Sequence, residues 1–342
     1  MLNPDGFGPA EPPRKPYSFG ILRLFEFAKK QTQTLSITGN KGVILRMMKK
    51  IRLPVYFYAL TAMLLWGMSF IWSSVLLQYY EPVTIIFIRL VISSALLYAF
   101  MFVSGQKVKL ERKDFFLVFL SALFNPFLYF LGENYGLKYS TPTISAVIIA
   151  TIPLFSPVIA YITFKERLTP INFIGIAISF CGVILMLVTR SLSLVADVRG
   201  VIFLFGAVFA ALLYSVTLRK LTENYSAVLL VATQNLIGVF LFMPFFVIFE
   251  LKTTIAVTVT AEVVTSMLLL AILASSVSFV FFAHSVKLLG MSKTNIFSNL
   301  IPVFTAIFSY FLLSESFSPQ KIAGIGLVIS GVYLSERSKK RI

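Results

Sequence analysis

Apolar residues follow one another in long blocks along most of the chain, and short polar stretches separate the blocks. Ten blocks have about the twenty residues that a helix needs to cross a bilayer core of about 30 Å. They lie at roughly 54–77, 84–103, 115–134, 140–163, 171–189, 200–218, 227–249, 264–285, 294–313 and 320–336. A transmembrane β-barrel would show alternating segments of about ten residues instead. The pattern therefore predicts an all-α integral membrane protein with ten transmembrane helices.

Two of these blocks carry nearly the same pattern, 149 residues apart. The stretch IPLFSPVIAYITFKERLTP begins at residue 152, and IPVFTAIFSYFLLSESFSP begins at residue 301. Without a gap, this shift aligns prolines, glycines and an acid, which chance similarity between apolar segments would not do. The aligned pairs are Pro153 with Pro302, Glu166 with Glu315, Gly175 with Gly324, and Gly182 with Gly331. The chain is therefore predicted to consist of two related halves of five spans each.

Five spans in each half mean that the two halves enter the membrane from opposite sides. Inverted repeats of this kind are characteristic of secondary transporters. We predict four segments along the chain: a disordered or amphipathic cytoplasmic leader over 1–50, five-helix repeats over 51–189 and 190–338, and a basic cytoplasmic tail over 339–342. Whether residues 1–46 are native and functional stays open at this point.

The basic residues indicate how the chain lies in the membrane. The net charge is +16, and Lys and Arg cluster at the ends of the apolar blocks. With the amino terminus inside, eighteen basic residues fall on the inner side and five on the outer side. By the positive-inside rule, both termini are then cytoplasmic. The charge thus indicates a multi-pass protein of the cell membrane, the inner membrane in bacteria, rather than a partner of nucleic acids.

The repeated residues also have local structural explanations. In KERLTP and SESFSP, a hydroxyl residue followed by proline is typical of a helix start. Glu166 and Glu315 precede those starts, where the positive end of the helix dipole favours an acid. Pro153 and Pro302 are expected to kink their spans.

Small residues share one face of the fifth span and one face of the tenth. Gly175, Ser179 and Gly182 lie on the first of these faces, and Gly324 and Gly331 on the second. Such faces let helix backbones approach closely in a membrane. We expect them to pack within the monomer; a seam between the two copies of a homodimer is the alternative.

Three features together resemble one known family. They are LLWGMSFIWSS in the first span, EPVTIIFIRL leading into the second, and the two P…E…P…G…G repeats. Over roughly residues 55–336, the chain resembles the EamA-type branch of the drug/metabolite transporter superfamily. The resemblance implies two inverted five-helix halves around a cavity walled mainly by spans 1, 3, 4, 6, 8 and 9. It also implies movement, commonly outward, of a small metabolite, amino acid or drug-like solute.

Polar side chains at membrane depth are costly and usually functional. The candidates for substrate contact are Trp66, Ser69, Arg89, Asn125, Tyr129, Asn134, Tyr214, Gln234, Ser278, Asn295 and Asn299. Any one of them can instead form an interhelical hydrogen bond or a packing contact. For Arg89 two interpretations stand: it pairs with a substrate carboxylate, or it snorkels outward or binds backbone carbonyls. For proton coupling the candidates are Glu133 and His284, and facilitated exchange without protons is the alternative.

Composition limits the other classes of function. With one cysteine, Cys181, and one histidine, neither a disulfide framework nor a multi-His metal site is expected, and no cofactor is predicted. The cysteine is interpreted as a packing residue. A membrane-embedded lipid-modifying enzyme would need converging acids or a His-acid pair, and a channel would need a ring of charges or a filter loop. Neither pattern is visible, so we predict a non-enzymatic transporter whose partners are a small-molecule substrate and the bilayer.

Overall fold

The computed structural model of the protein describes residues 41–106, 109–155, 159, 170–187, 197–289, 294 and 296–337. These residues form ten helical segments and no β-strand. The segments are α1 (Lys41–Leu76), α2 (Pro82–Val103), α3 (Arg112–Lys138), α4 (Pro142–Phe155), α5 (Pro170–Leu187), α6 (Val198–Asn224), α7 (Ala227–Ile255), α8 (Ala261–Leu289), α9 (Phe297–Leu313) and α10 (Pro319–Arg337). The predictions made for residues 1–40, Glu166 and Asn295 fall outside the described residues.

The chain divides into two compact units, Met1–Leu53 and Pro54–Ile342. In the first unit, the described residues 41–53 are helical, so α1 begins inside the segment that was predicted to be a leader. The second unit contains everything discussed below.

Six of the helices are long and apolar enough to cross a membrane. They are α1 from Tyr56 onward, α2, α3, α6, α7 and α8. Among the described residues, three shorter apolar helices join them: α4, Phe173–Met186 within α5, and α9. The prediction of an all-helical membrane protein is thereby confirmed. The finer prediction, ten spans in two inverted repeats, stays a prediction.

The proline-containing helix starts follow the sequence closely. Helix α10 begins at Pro319, and the Ser318 hydroxyl accepts a hydrogen bond of 3.2 Å from the backbone N–H of Lys321. This confirms the predicted N-cap. Pro302 lies in the first turn of the regular helix Ile301–Leu313, directly after a 3₁₀ turn. Pro153 follows a turn at residues 150–151 that interrupts α4. The turn in α4 and the 3₁₀ turn in α9 therefore lie next to the two repeated prolines.

Helix α2 takes its N-terminal cap from a distant part of the chain. Glu81 precedes the helix but makes no side-chain cap. Instead, the buried carboxylate of Glu250 in α7 accepts hydrogen bonds from the backbone N–H of Thr84, at 2.6 Å, and from its hydroxyl, at 2.8 Å. A third, longer bond of 3.3 Å comes from the N–H of Val83. The acid thus satisfies N–H groups that a helix start leaves unpaired and ties the end of α7 to the start of α2.

Helices α5 and α10 pack against each other through their glycine faces, as predicted. A Cβ atom placed on Gly182 would lie 2.7 Å from the carbonyl oxygen of Gly324. A Cβ on Gly331 would lie 2.6 Å from the carbonyl oxygen of Gly175. The contact lies within one chain. Cys181 is off this face and exposed, so its interpretation as a packing residue is wrong.

The loop between α9 and α10 is attached to the start of α4. Glu315 accepts a hydrogen bond of 2.7 Å from the hydroxyl of Thr143 and forms an ion pair with Lys321. Burial alone raises the pKa of the Glu315 carboxyl. The hydrogen bonds from Lys321 and Thr143, together with the Lys321 charge, bring this pKa below its ordinary value. The negative charge of Glu315 is therefore stabilised where it lies.

Candidate functional site

A small cavity lies in the middle of the helical bundle. Its walls come from α1, α2, α3, α4, α6, α8 and α9, and none of the described lining residues belongs to α5, α7 or α10. Its volume is about 60 Å³, which is small beside the roughly 300–1,000 Å³ of typical ligand pockets. In the conformation described here, the cavity therefore admits only a small solute or part of a larger one.

Seven of the candidate residues from the sequence meet in this cavity. They are Trp66, Ser69, Arg89, Asn125, Tyr129, Glu133 and Tyr214. They come from four helices: two from α1, three from α3, and one each from α2 and α6. The spacing of four residues places Asn125, Tyr129 and Glu133 near one another along α3, and the packing of the bundle brings the residues of α1, α2 and α6 to them.

Arg89 is the most buried charge in the cavity, with 1% of its surface exposed. Its Nε donates a hydrogen bond of 2.7 Å to the hydroxyl of Ser275 in α8. The guanidinium also lies over the ring of Phe130, 4.0 Å from the ring centre, an attractive cation–π geometry. Within the described part of the chain, its Nη1 has no hydrogen-bond partner. Arg89 therefore points into the protein, and the interpretation that it snorkels toward the membrane surface is wrong.

Glu133 supplies the opposite charge. It is buried, and its Oε1 accepts a hydrogen bond of 2.9 Å from the phenol of Tyr129, one helical turn earlier in α3. The four ion pairs within 4.0 Å among the described residues do not include Arg89 or Glu133. The cavity thus contains a cation and an anion that are not bonded to each other.

Helix α3 is broken where it meets the cavity. Asn125 has an extended backbone, with φ −148° and ψ 118°, inside a π-helical stretch over Leu123–Leu128. Such interruptions free backbone polar groups, and in membranes they are tolerated where they line a cavity or lie buried in protein. Asn125 does line the cavity. The break in α3 therefore places both a side-chain amide and irregular backbone beside the charged pair.

Helix α8 has a corresponding irregular stretch, Leu270–Val277, which is also π-helical. In it the hydroxyl of Ser275 donates to the carbonyl of Leu270, at 3.1 Å, while accepting from Arg89. Wider π turns of this kind occur frequently at functional sites. Here the turn brings Ser275 to the guanidinium, and so α8 holds the arginine of α2 in position.

A hydrogen-bond network continues this contact into α7. The amide of Asn235 donates to the hydroxyl of Ser93, at 2.7 Å, and to the carbonyl of Ser275, at 3.3 Å. The hydroxyls of Ser93 and Ser276 lie 2.7 Å apart. The network joins α2, α7 and α8 and includes Ser275, the residue that accepts the hydrogen bond from Arg89.

Aromatic rings form much of the remaining wall. The indole of Trp66 donates a hydrogen bond of 3.3 Å to the carbonyl of Ala274 and packs against Phe279 and Phe282, with ring centres 4.9 and 5.0 Å away. The sequence had not singled out Phe130, Phe279 or Phe282. With 35 phenylalanines in the chain, no spacing distinguishes those that face a cavity from those that face lipid.

The other candidates among the described residues lie outside the cavity wall. Gln234 donates to the hydroxyl of Ser121, at 2.8 Å, and its Oε1 accepts from the phenol of Tyr214, at 3.4 Å. Asn134 donates to the carbonyl of Phe130 one turn earlier. Their bonds are therefore supports between or within helices.

Three more candidates are likewise not among the lining residues. The hydroxyl of Ser278 bonds to the carbonyl of Leu273 in its own helix, Asn299 is buried, and the ring of His284 meets Tyr58 edge-on at 5.4 Å. Among the described residues, no group of three His, Cys, Asp or Glu side chains is placed to hold a metal ion. Among the described lining residues, the charged side chains are Arg89 and Glu133.

Comparison with known proteins decides the family. The model of the EamA-like transporter family matches this chain twice, over residues 53–188 and 198–337. This chain belongs to that family. The member described here is similar to an uncharacterized transporter of Archaeoglobus fulgidus, 25% identical over 80% of this chain and 95% of that protein. It is also similar to the uncharacterized transporter YcxC of Bacillus subtilis, 25% identical over 86% of this chain and 98% of that protein.

A solved structure shares the fold. It is a crystal structure of a protein with 17% sequence identity that superposes with a TM-score of 0.64 and covers 82% of this chain and 98% of its own. Family and relatives together identify the EamA-like protein described here as a multi-pass membrane transporter. The resemblance recognised in the sequence is thereby confirmed.

Proposed function

We propose that this EamA-like protein is a secondary transporter that moves a small solute across the plasma membrane by alternating access. The observation that carries the proposal is the cavity itself, which brings two buried ionisable groups, Arg89 and Glu133, together inside an apolar bundle. Ionisable groups at membrane depth are expensive and typically mark a substrate or ion pathway. The walls come from both segments that match the family model, so a movement of one segment against the other would open or close the cavity.

We propose further that the two segments are inverted repeats of five spans each. Three observations support this: the shift of 149 residues, the double match to the family model, and the paired contacts of Gly182 with Gly324 and of Gly175 with Gly331. A two-fold operation that exchanges the halves converts one of these contacts into the other. Two similar halves in opposite orientation provide two competing conformations, one open to each side.

The proposed orientation has both termini in the cytoplasm. Two contacts agree with the predicted grouping of segments on the two sides of the membrane. Tyr225 donates a hydrogen bond of 2.6 Å to Asp114, and both fall on the predicted inner side. Glu315 and Thr143 are in contact and both fall on the predicted outer side. For a bacterial protein, the membrane would be the inner membrane. We take export as the direction because the family resemblance implies it.

Transport is tested by reconstitution. Purified protein in liposomes is loaded with a mixture of amino acids, organic acids, amines and amphipathic drugs, and efflux is followed by mass spectrometry with and without a pH gradient. We expect at least one solute to leave faster than from protein-free liposomes. Arg89→Gln should reduce that efflux, and Arg112→Gln, at an exposed position, should not. If no solute leaves faster, the proposal fails.

The inverted arrangement is tested by labelling. In a Cys181→Ser background, cysteines are introduced by Arg167→Cys and Ser316→Cys, which are equivalent positions in the two halves. An impermeant maleimide should label Ser316→Cys on intact cells and Arg167→Cys only after permeabilisation. Labelling of both from the same side would exclude inversion.

A further inference from the structure

A cluster of aromatic rings lies at one end of the cavity. The ring centre of Tyr58 in α1 is 4.9 Å from that of Phe281 and 5.4 Å from that of His284, both in α8. Beside them, the ring centres of Tyr56 and Phe297 are 5.8 Å apart. Together these five residues form the ring cluster. It connects α1, which belongs to the first segment that matches the family model, with α8 and α9, which belong to the second.

The ring cluster adjoins residues that line the cavity. Tyr58 precedes the lining residue Ser69 by eleven positions. Eleven residues make about three full turns of an α-helix, so both side chains lie on the same face of α1. In α9, Phe297 directly precedes the lining residue Ser298. The cluster therefore continues the cavity wall along the helix axes.

The chain direction locates the cluster at the predicted inner end of the cavity. Helices α1 and α9 start on the predicted inner side, and α8 ends there. Along α1 and α9, the cluster comes before the described lining residues. Along α8, His284 follows the last of them, Phe282. All three helices thus place the rings between the cavity and the cytoplasm.

The bundle contains an equivalent contact that is built from small residues. The shift of 149 residues aligns Tyr58 with Ala207 in α6, and Phe281 with Gly132 in α3. Those two partners also touch: a Cβ on Gly132 would lie 3.0 Å from the Cβ of Ala207 and 2.6 Å from the carbonyl oxygen of Phe203. Exchanging the two halves therefore converts the ring contact into a contact between helix backbones on the predicted outer side.

Close packing continues along this outer contact. A Cβ on Gly136 would lie 3.2 Å from the carbonyl oxygen of Gly200, and a Cβ on Gly200 would lie 3.1 Å from that of Gly136. Where backbones meet so closely, a passage requires α3 and α6 to separate. Side chains, in contrast, change rotamer without a movement of the helix backbone. The two ends of the cavity are therefore closed by different means.

We propose that the ring cluster, centred on Tyr58, is the inner gate of the cavity and opens when its rings move aside. The inference goes beyond the proposed transport function and rests on it in one respect, since a cavity that serves two sides must open to each. Tyr58 holds the gate closed through its contacts with two rings of α8. Without the Tyr58 ring, the cavity should open to the cytoplasm, while the glycine contact between α3 and α6 keeps the outer end closed.

Cysteine labelling measures the gate without a known substrate. Cys181→Ser removes the native thiol, and Ala211→Cys places a reporter in the cavity wall. The reagent is sodium (2-sulfonatoethyl) methanethiosulfonate, a small impermeant anion, applied to inside-out vesicles for the inner side and to intact cells for the outer side. Added to this parent, Tyr58→Ala should speed labelling from the inner side at least about tenfold, a difference of about 1.4 kcal/mol. It should not speed labelling from the outer side.

Three further variants assign the effect to the rings. Phe281→Ala removes the partner ring from the facing helix and should also speed inner labelling, so a folding defect in one of the two alanine variants leaves the other to decide. Tyr58→Phe keeps the ring and should label at the rate of the parent. Phe102→Ala is the matched control, because it removes a ring near the predicted inner end of α2 that is 89% exposed, and it should also label at the parent rate.

Three results would overturn the inference. One is an inner labelling rate that stays at the parent value in both Tyr58→Ala and Phe281→Ala. Another is faster labelling from the outer side, which would put the ring cluster at the opposite end of the cavity. The third is an equal gain in Phe102→Ala, which would mean that loss of any ring loosens the bundle. The reporter needs no transported solute, so failure of the gate is distinguished from failure of the transport function, which the liposome experiment tests.

Discussion

Gly182 of α5 lies directly against Gly324 of α10, so close that a Cβ atom on Gly182 would be 2.7 Å from the Gly324 carbonyl oxygen. The same relationship recurs between Gly331 and Gly175, at 2.6 Å. The sequence aligns Gly182 with Gly331 and Gly175 with Gly324, so each contact is the other with its two halves exchanged. The seam between α5 and α10 is therefore built from equivalent positions in both segments, away from the cavity.

Gly182→Ala should destabilise this seam. The new methyl group would also meet the backbone N of Val328 at 2.8 Å, and backbone atoms cannot move aside as a flexible side chain can. Overpacking of this kind costs about 1–3 kcal/mol. We expect a lower melting temperature of the purified protein in detergent micelles.

The chain provides a matched control on the facing helix. A Cβ on Gly326 would have no heavy atom within 4 Å, so Gly326→Ala should leave the melting temperature near that of the wild type. Equal destabilisation by both substitutions would show that helix propensity, rather than close packing, is responsible.

Ser275→Ala should weaken substrate binding by releasing Arg89. The guanidinium would lose the partner of its Nε, and a hydrogen bond to a charged group is worth about 1.5–3 kcal/mol. We expect the KM for the transported solute to rise about tenfold or more, with a smaller change in maximal rate, and Ser275→Thr to restore it.

Ser278→Ala is the comparison for this substitution. Its hydroxyl also bonds to a carbonyl five residues earlier, that of Leu273, but it does not line the cavity. A KM that rises equally in Ser278→Ala would mean that the hydroxyls of α8 act by shaping the π-helical stretch and not by positioning Arg89.

Glu250→Ala should lower stability by exposing an uncapped helix start. The backbone N–H and hydroxyl of Thr84 would lose their acceptor in a buried place, which costs about 1–3 kcal/mol. Glu250→Gln keeps one acceptor oxygen and should cost less. The melting temperatures of the two variants measure this order, and Glu262→Ala, at an exposed position, serves as the control. Equal losses in Glu250→Ala and Glu250→Gln would argue for charge rather than capping.

Glu315 should make the protein less stable in acid. Its pKa is lower in the folded protein than the ordinary value of 4.5, so its contribution is complete above that value and is lost as the pH falls through the folded pKa. Glu315→Gln cannot be protonated and should lose less stability than the wild type between neutral pH and acid. Melting temperatures measured across this range check the slope; parallel curves for both proteins would contradict the assignment.

Much of the architecture follows from local patterns. The apolar blocks predict the helices because a twenty-residue apolar helix has no stable place other than a bilayer or a large core. The Ser318-Pro319 start of α10 was readable because capping depends on neighbouring residues only. Part of the site could also be predicted from the sequence. Polar residues such as Arg89 and Asn125 stand out within apolar blocks because burying them there is costly.

Other parts of the site depend on contacts between distant residues. The cap of α2 by Glu250 joins positions 166 residues apart, and nothing near Pro82 in the sequence indicates it. The orientation of Arg89 was not readable either, since a basic residue near the end of a span can snorkel or turn inward. Arg89 turns inward because it bonds to Ser275, which in turn is held by Asn235. Both residues belong to other helices.

The sequence by itself determined that this protein is a helical membrane protein of two related segments and that certain polar residues fall inside its apolar blocks, because hydrophobic length and a repeated pattern are properties of the chain. Only the tertiary structure decided which of those residues share a cavity and that Arg89 and Glu133 remain unpaired within it. The reason is physical: a helix specifies directions for its own side chains, but the meeting of side chains from seven helices depends on how those helices pack.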